Sequence, residues 1–363
     1  MKARLPVFLG VFSVMALSNA VVPVLPGYSP DSVVQGAIYA SYFFGALLFV
    51  LPSGILADRY GELPLIGTGL ILTVAGGFLL AVSTNPVAVV GLRFLEGAGA
   101  GLFITAALSL VNVQPDHVRL TGIFMALLNI GLVTGLAVTG WAVSLSGRQD
   151  AGLLLFSVLS VFPLVAVPVS RGKTGKIPLA SESPAAVLGL VGHIFRQYFW
   201  LWLSALVLIG ITGVVTSLYP GFSGESPELV GLELAAMNGA TVVAVLLSSQ
   251  VSLPPVPTIR VAALLEAGSI ILTFYTPWGF IALGAFAGVV MIAQLAFLAQ
   301  SGEQQGSFMG LFNVASYGGM ALLPFVSGVI AATGGYTLAF LVATVAGAAM
   351  AVTVGRCECR VPA

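Results

Sequence analysis

Twelve stretches of this chain are each long and apolar enough to cross a lipid bilayer, and little else about the sequence constrains its fold as strongly. A transmembrane helix needs about 20 predominantly apolar residues. The segments that qualify are 5–26, 34–57, 63–84, 86–113, 119–146, 151–169, 196–219, 229–250, 258–275, 277–299, 307–331 and 336–355. Hydrocarbon offers no partner for backbone N–H and C=O groups, so an apolar segment crossing it closes its hydrogen bonds internally as a helix. The sequence therefore predicts an all-α integral membrane protein of twelve transmembrane helices.

Only 7% of the 363 residues are charged and 58% are hydrophobic, with a mean hydropathy of +1.07, which excludes a soluble globular domain. The 13 basic and 13 acidic residues cancel, so no basic surface is available for nucleic acid. Lys2 and Arg4 before an apolar run resemble the start of a signal peptide, with Ser18-Asn19-Ala20 as a small-residue cleavage site. The apolar run continues to Leu25 and further spans follow at once, so an uncleaved first helix is expected. The two cysteines, Cys357 and Cys359, both fall in the C-terminal tail and support no disulfide framework.

The few charges define a topology. With the N-terminus in the cytoplasm, the inner side holds Lys2, Arg4, Arg59, Arg119, Arg171, Lys173, Lys176, Arg196, Arg260, Arg356 and Arg360, and the outer side holds Arg148. Excess basic residues in short loops mark the cytoplasmic face, so both termini are expected there. One connection is longer and polar. Ser170–Ala185 carries Arg171, Lys173, Lys176, Glu182, Pro178 and Pro184 and reads as a cytoplasmic linker. The expected organisation is a six-helix half at 1–170, a linker at 171–195, and a second six-helix half at 196–363 that ends in a short tail.

The two halves look alike. Advancing the fifth span by 188 positions places Gly122 on Gly310, Phe124 on Phe312, Gly131 on Gly319, Val138 on Val326 and Gly140 on Gly328. Small residues let helices approach closely in a membrane, so matched glycines predict matched helix crossings. Duplicated helical units joined by a linker are a common transporter plan, which gives two pseudo-symmetric six-helix bundles.

Charge inside the bilayer is expensive, so each intramembrane ionisable residue is a functional candidate. Arg93 lies roughly 10 Å and Glu96 roughly 15 Å from the outer end of the fourth span, at a rise of ~1.5 Å per residue. Spaced three apart, they share a helical face and form an ion pair that either serves a central cavity or neutralises itself inside the packing. Glu266 lies about 12 Å into the ninth span. No basic residue shares its face except Arg260, nearly two turns away. An unpaired carboxyl of this kind can carry a proton, or it can reach a watery cavity. Glu233, one turn into the eighth span, is expected at the interface. Asn19, Gln35, Asn129, Asn238, Gln294, Asn313 and Tyr317 are polar residues within spans that either line a cavity or join helices by hydrogen bonds. The aromatic residues from Phe195 to Trp202 read as an interfacial belt. His117 and His193 are far apart, no cluster has metal-ligand spacing, and no glycine-rich phosphate loop follows a strand. No cofactor and no enzymatic activity are expected.

One charged cluster stands apart. Gly54 to Gly61 reads GILADRYG and lies between two apolar runs, where it is expected to form a tight surface turn with both glycines allowing close backbone approach. With this cluster the chain resembles the major facilitator superfamily over essentially its whole length. That family's loop between the second and third helices reads G-x-L-A-D-R-x-G-R-K, and Gly54, Leu56, Ala57, Asp58, Arg59 and Gly61 match it, while Glu62 and Leu63 replace its two basic residues. Arg93-Phe94-Leu95-Glu96-Gly97 is similar to the family's R-x-x-x-G in the fourth helix, and Pro115-Asp116-His117-Val118-Arg119 to its acidic-then-arginine turn.

Within the superfamily the chain is similar to twelve-helix drug:proton antiporters. Pro23-Val24-Leu25-Pro26 matches their P-x-L-P ending of helix 1. Gly131, Gly135 and Gly140 fit their G-x-x-x-G-P-x-x-G-G, with Leu136 and Thr139 departing from it. The resemblance implies secondary active transport by alternating access, with proton-coupled export of a small amphipathic solute from the cell membrane by a monomer. Asp58, Arg59, Gly54, Gly61 and Arg119 would act in gating. Arg93, Glu96, Glu266, Asn19, Asn129, Asn238, Gln294, Asn313 and Tyr317 are the candidates for substrate binding and proton coupling. Uniport or symport of a small metabolite, and a transporter-like sensor without flux, stay open beside that reading.

Overall fold

The computed structural model describes residues 4–167, 192–251, 254–300 and 305–354. The expected linker at Ser170–Ala185, Lys2, Cys357 and Cys359 lie outside them. Among the described residues there is no strand. Among the described residues twelve long apolar helices follow one another: α1 (Arg4–Ala20), α2 (Ser32–Tyr60), α3 (Glu62–Val82), α4 (Pro86–Asn112), α5 (His117–Ser146), α6 (Ala151–Ala166), α7 (Phe199–Ser223), α8 (Pro227–Ser248), α9 (Pro255–Leu272), α10 (Trp278–Gln300), α11 (Gln305–Gly334) and α12 (Tyr336–Thr353). Eleven spans among the described residues are long and apolar enough to cross a membrane, and α6 is a shorter apolar helix of 16 residues. After α1 the chain continues through a 3₁₀ turn at Val22–Val24 and a short helical turn at Leu25–Tyr28, where Pro23 and Pro26 interrupt the α-helical ladder.

Helix ends follow local chemistry. Asp31 caps α2 by accepting from the Val33 amide at 2.8 Å. Asn85 caps α4 by accepting from Val87 and Ala88, with Pro86 in the first helical turn where its missing N–H is not needed. The GILADRYG segment departs from the expected turn, because α2 runs on through Tyr60 and holds Gly54 to Arg59 in its last two turns. A single residue makes the turn. Gly61 has φ +87°, a conformation disfavoured for L side chains, and its amide closes the helix on the Ala57 carbonyl. A Cβ at Gly54 would meet nothing within 4 Å, so that glycine serves no close approach here.

The chain divides into two compact units: Met1–Ile177 with Thr216–Ala235, and Pro178–Val215 with Ala236–Ala363. The end of α7 and the start of α8 thus group with α1–α6. In the first unit, α2 and α3 pack on α4, and α1 packs on α5 and α6. Its core joins Val11 and Val14 of α1, Leu70 of α3, Phe103 of α4 and Phe124 of α5. Glycines set the helix separations. A Cβ at Gly45 would strike the Phe94 carbonyl, one at Gly97 the Tyr42 carbonyl, and one at Gly135 the Ala16 carbonyl. In the second unit α9 packs on α10 and α12, and α11 on α12. Val82, Val165 and Val345 stand two-thirds or more exposed, at 74%, 78% and 67%. Apolar side chains on the outside are the pattern of helices whose solvent is hydrocarbon.

The internal similarity reappears in these contacts. Gly131 on α5 faces the carbonyl of Phe12 on α1, and its counterpart Gly319 on α11 faces the carbonyl of Leu206 on α7. The other glycine pair tested by a Cβ, Gly122 and Gly310, meets nothing within 4 Å at either position.

Candidate functional site

The deepest charges of the first unit meet on α4. Arg93 donates from Nη1 to Glu96 Oε2 at 2.6 Å, with both side chains 1% exposed. The i,i+3 spacing puts the two groups on one face, where each offsets part of the cost of burying the other. The guanidinium lies over the ring of Tyr42 on α2, with Cζ 4.5 Å from the ring centroid. Glu96 Cβ packs against Gly76 of α3, where a side chain would stand 3.3 Å away. The pair is therefore enclosed in the junction of α2, α3 and α4. Arg93 Nε and Glu96 Oε1 make no hydrogen bond among the described residues.

The second unit holds Glu266 on α9. It is fully buried, and neither carboxylate oxygen has a hydrogen-bond partner among the described residues. Ala262, Ala263, Ala267 and Ile270 of the same helix are also buried. On neighbouring α10, Gln294 is equally buried and donates its amide to Ser204 Oγ of α7 at 3.1 Å, leaving its own carbonyl oxygen without a partner. Buried polar atoms usually have a partner, and among the described residues both Glu266 oxygens lack one, as does the Gln294 carbonyl oxygen.

The remaining polar candidates divide by what they touch. Asn19 donates to the Leu132 carbonyl at 3.3 Å and ties α1 to α5. Gln35 donates to the Ser29 carbonyl at 2.9 Å and braces the turn before α2. Asn129 bonds back to Met125 of its own helix. Asn238 and Tyr317 are half-buried and Asn313 is exposed. Glu233 is half-buried near the start of α8. Among the residues expected to gate, Arg59 is exposed with its guanidinium 5.5 Å from the Tyr60 ring, and Arg119 is exposed in the first turn of α5. The side chain of Asp58 lies outside what the structure describes.

The aromatic segment is not a simple belt. Phe195 and Phe199 are 44% and 42% exposed, but Tyr198 and Trp202 are 6% and 2% exposed. Tyr198 packs edge-on against Trp202, Phe297 of α10 and Phe308 of α11, and Trp202 lies tilted against Phe308, at centroid distances of 5.1 to 6.4 Å. Helical periodicity puts residues four apart on one side, which turns Tyr198 and Trp202 inward and Phe195 and Phe199 outward, and a reading of the run as one composition does not resolve this.

Two features were not singled out from the sequence. One is Tyr42, whose signal was only an aromatic residue near Gly45 on α2. The other is a cavity of about 300 Å³ in the first unit, lined by Pro23, Pro26, Gly27, Gln149, Pro220 and Glu225 among others. Beside it the Arg148–Asp150 pair caps the α5–α6 connection with two hydrogen bonds, at 3.1 and 2.6 Å. Hydrogen bonding from Arg148 holds the Asp150 carboxyl below the usual aspartate range. Such exposed pairs contribute little to stability.

Residues 7–324 match the sequence model of the family described as the Major Facilitator Superfamily. The chain is 28% identical over 199 residues to the methylenomycin A resistance protein of Bacillus subtilis (strain 168), covering 50% of this chain and 40% of that protein. It is 27% identical over 149 residues to the quinolone resistance protein NorA of Staphylococcus aureus (strain MRSA252), covering 39% and 38%. The matched part thus spans about two fifths of the length of these relatives. A crystal structure of a mutant of the nucleoside transporter NupG superposes with a TM-score of 0.79 at 16% identity, over 98% of this chain and 100% of that one. A bacterial homologue of the lysosomal transporter Spinster superposes with a TM-score of 0.72 at 16% identity, over 98% and 93%. At that identity the structural likeness speaks to the fold alone.

Proposed function

The chain belongs to the Major Facilitator Superfamily, and from that premise we propose that it exports a small amphipathic solute across the cell membrane by alternating access, in exchange for protons. Both termini and the 171–195 linker lie in the cytoplasm on this reading, and the halves 1–170 and 196–363 act as the two moving parts. The resistance proteins among its relatives support export as the direction. Few charges and long apolar helices suit a solute of mixed polarity better than a highly charged one.

The observation that carries the proton-coupled reading is Glu266, a fully buried carboxyl with no partner on either oxygen among the described residues. A group held without a counter-ion can take up and release a proton at small structural expense, since no ion pair has to break. Glu96, bonded to Arg93, is the second carboxyl, and its pairing suits it to substrate recognition or to a proton exchange that frees Arg93. Asp58, Arg59, Gly54, Gly61 and Arg119 take the gating role. Asn19, Asn129, Asn238, Gln294, Asn313 and Tyr317 supply hydrogen bonds to the solute or between helices.

The test is flux in proteoliposomes with and without an imposed pH gradient, using a panel of fluorescent amphipathic compounds. The wild-type protein accumulates a compound only with the gradient. Glu266→Gln abolishes gradient-driven accumulation and preserves binding, while Glu96→Gln weakens binding. Full accumulation by Glu266→Gln would remove that carboxyl from coupling. Gradient-independent equilibration by the wild type would make the protein a uniporter, and binding without flux would make it a sensor.

A further inference from the structure

One buried N–H of Arg93 has no hydrogen-bond acceptor among the described residues. A guanidinium carries five N–H donors, and this one makes its short bond to Glu96 through Nη1 while Nε makes none, at 1% exposure. What lies against it is the ring of Tyr42, 4.5 Å from Cζ and itself buried. The face of an aromatic ring is the negative end of its quadrupole, and a guanidinium over that face is attracted most strongly where water is excluded.

The backbone fixes this geometry. Gly97, one residue beyond Glu96, sits against the Tyr42 carbonyl, and Gly45, three beyond Tyr42, against the Phe94 carbonyl. A side chain at either glycine would push α2 and α4 apart and lift the ring from the cation. The glycines thus bring the two helices to the separation at which a residue at position 42 lies over position 93.

We propose that Tyr42 is a positioning residue for Arg93: its ring face holds the guanidinium toward Glu96 and supplies part of its compensation whenever the carboxylate is engaged by a proton or by solute. This rests on the reading of the Arg93–Glu96 pair as transport machinery. During exchange Glu96 has to loosen its bond to Arg93, and a cation abandoned in a packed helical junction would otherwise stand uncompensated. The ring provides a second, uncharged partner that does not leave.

The experiment places phenylalanine and then mono-, di- and trifluorinated phenylalanine at position 42 of the full chain, and measures transport in proteoliposomes beside the unfolding midpoint. Fluorine drains the ring face with little change of shape, so it separates electrostatics from packing. Tyr42→Phe keeps transport within about twofold of wild type, because the face is retained. Transport then falls stepwise with each fluorine, by on the order of tenfold across the series, while the unfolding midpoint holds. Tyr42→Leu, where it folds, matches the trifluorinated protein. A flat series, or loss of transport in Tyr42→Phe, overturns the assignment to the ring face. Arg93→Gln separates the two levels of the argument. If it is inactive and the fluorinated series is flat, Tyr42 alone is excluded; if it transports fully, the pair itself has no part in transport and the proposal falls with it.

Discussion

Arg93 bonds to Glu96 across one turn of α4 at 2.6 Å, and neither side chain is open to solvent. The pair is consequently all or nothing. Removing one partner of a buried ion pair leaves the other uncompensated and destabilises by about 3–5 kcal/mol, while replacing both with apolar groups is often close to neutral.

Glu96→Leu alone should therefore lower the unfolding midpoint of the detergent-solubilised protein sharply. The double variant Arg93→Met, Glu96→Leu should recover most of that loss. Transport should stay lost in both, because stability is restored without the charges. A double variant as unstable as the single one would show that shape, and not charge, holds the α2–α3–α4 junction together.

The glycines of α5 and α11 allow a matched comparison. A Cβ at Gly131 or Gly319 runs into a carbonyl of the facing helix, whereas Gly122 and Gly310 have open space. Gly131→Ala and Gly319→Ala should each lose about 1–3 kcal/mol from overpacking. Gly122→Ala and Gly310→Ala should hold stability or gain about 0.5–1 kcal/mol, since alanine orders a helix at lower entropic cost. Equal effects at all four positions would mean that helix propensity and not helix separation governs these sites.

Topology is open to chemical labelling. On the proposed topology Arg148 faces the outside and Arg119 the cytoplasm. An impermeant maleimide added to intact cells should label Arg148→Cys and Glu225→Cys, and should reach Arg119→Cys only after permeabilisation. Labelling of Arg119→Cys in sealed cells would invert the assignment.

Acidification gives a smaller but signed effect. The Asp150 carboxyl is held below its usual range by Arg148, so its contribution to stability is complete above the ordinary aspartate pKa and disappears as pH falls through the lowered value. The unfolding midpoints of wild type and Asp150→Asn should differ slightly at neutral pH and converge in acid. A difference that grows on acidification would contradict the pairing.

The helices themselves were legible in the sequence because a bilayer leaves an apolar segment of twenty residues almost no alternative. The Arg93–Glu96 bond was legible for a similar reason: i,i+3 spacing on a helix is local geometry. The α5–α11 correspondence was also readable, since a glycine that permits a close crossing leaves its mark at a fixed position. What the sequence did not contain was which face of each helix turns inward. These helices are apolar on every side, and lipid is as apolar as leucine, so the hydrophobic pattern that orients a soluble helix carries no such information here. Tertiary packing alone set Tyr42 over Arg93, joined Gln294 to Ser204 across 90 residues, turned Tyr198 and Trp202 inward while Phe195 and Phe199 face out, and left Glu266 without a partner among the described residues. It also carried α2 through the charged segment to Tyr60, because one residue able to adopt a positive φ, Gly61, was enough to make the turn.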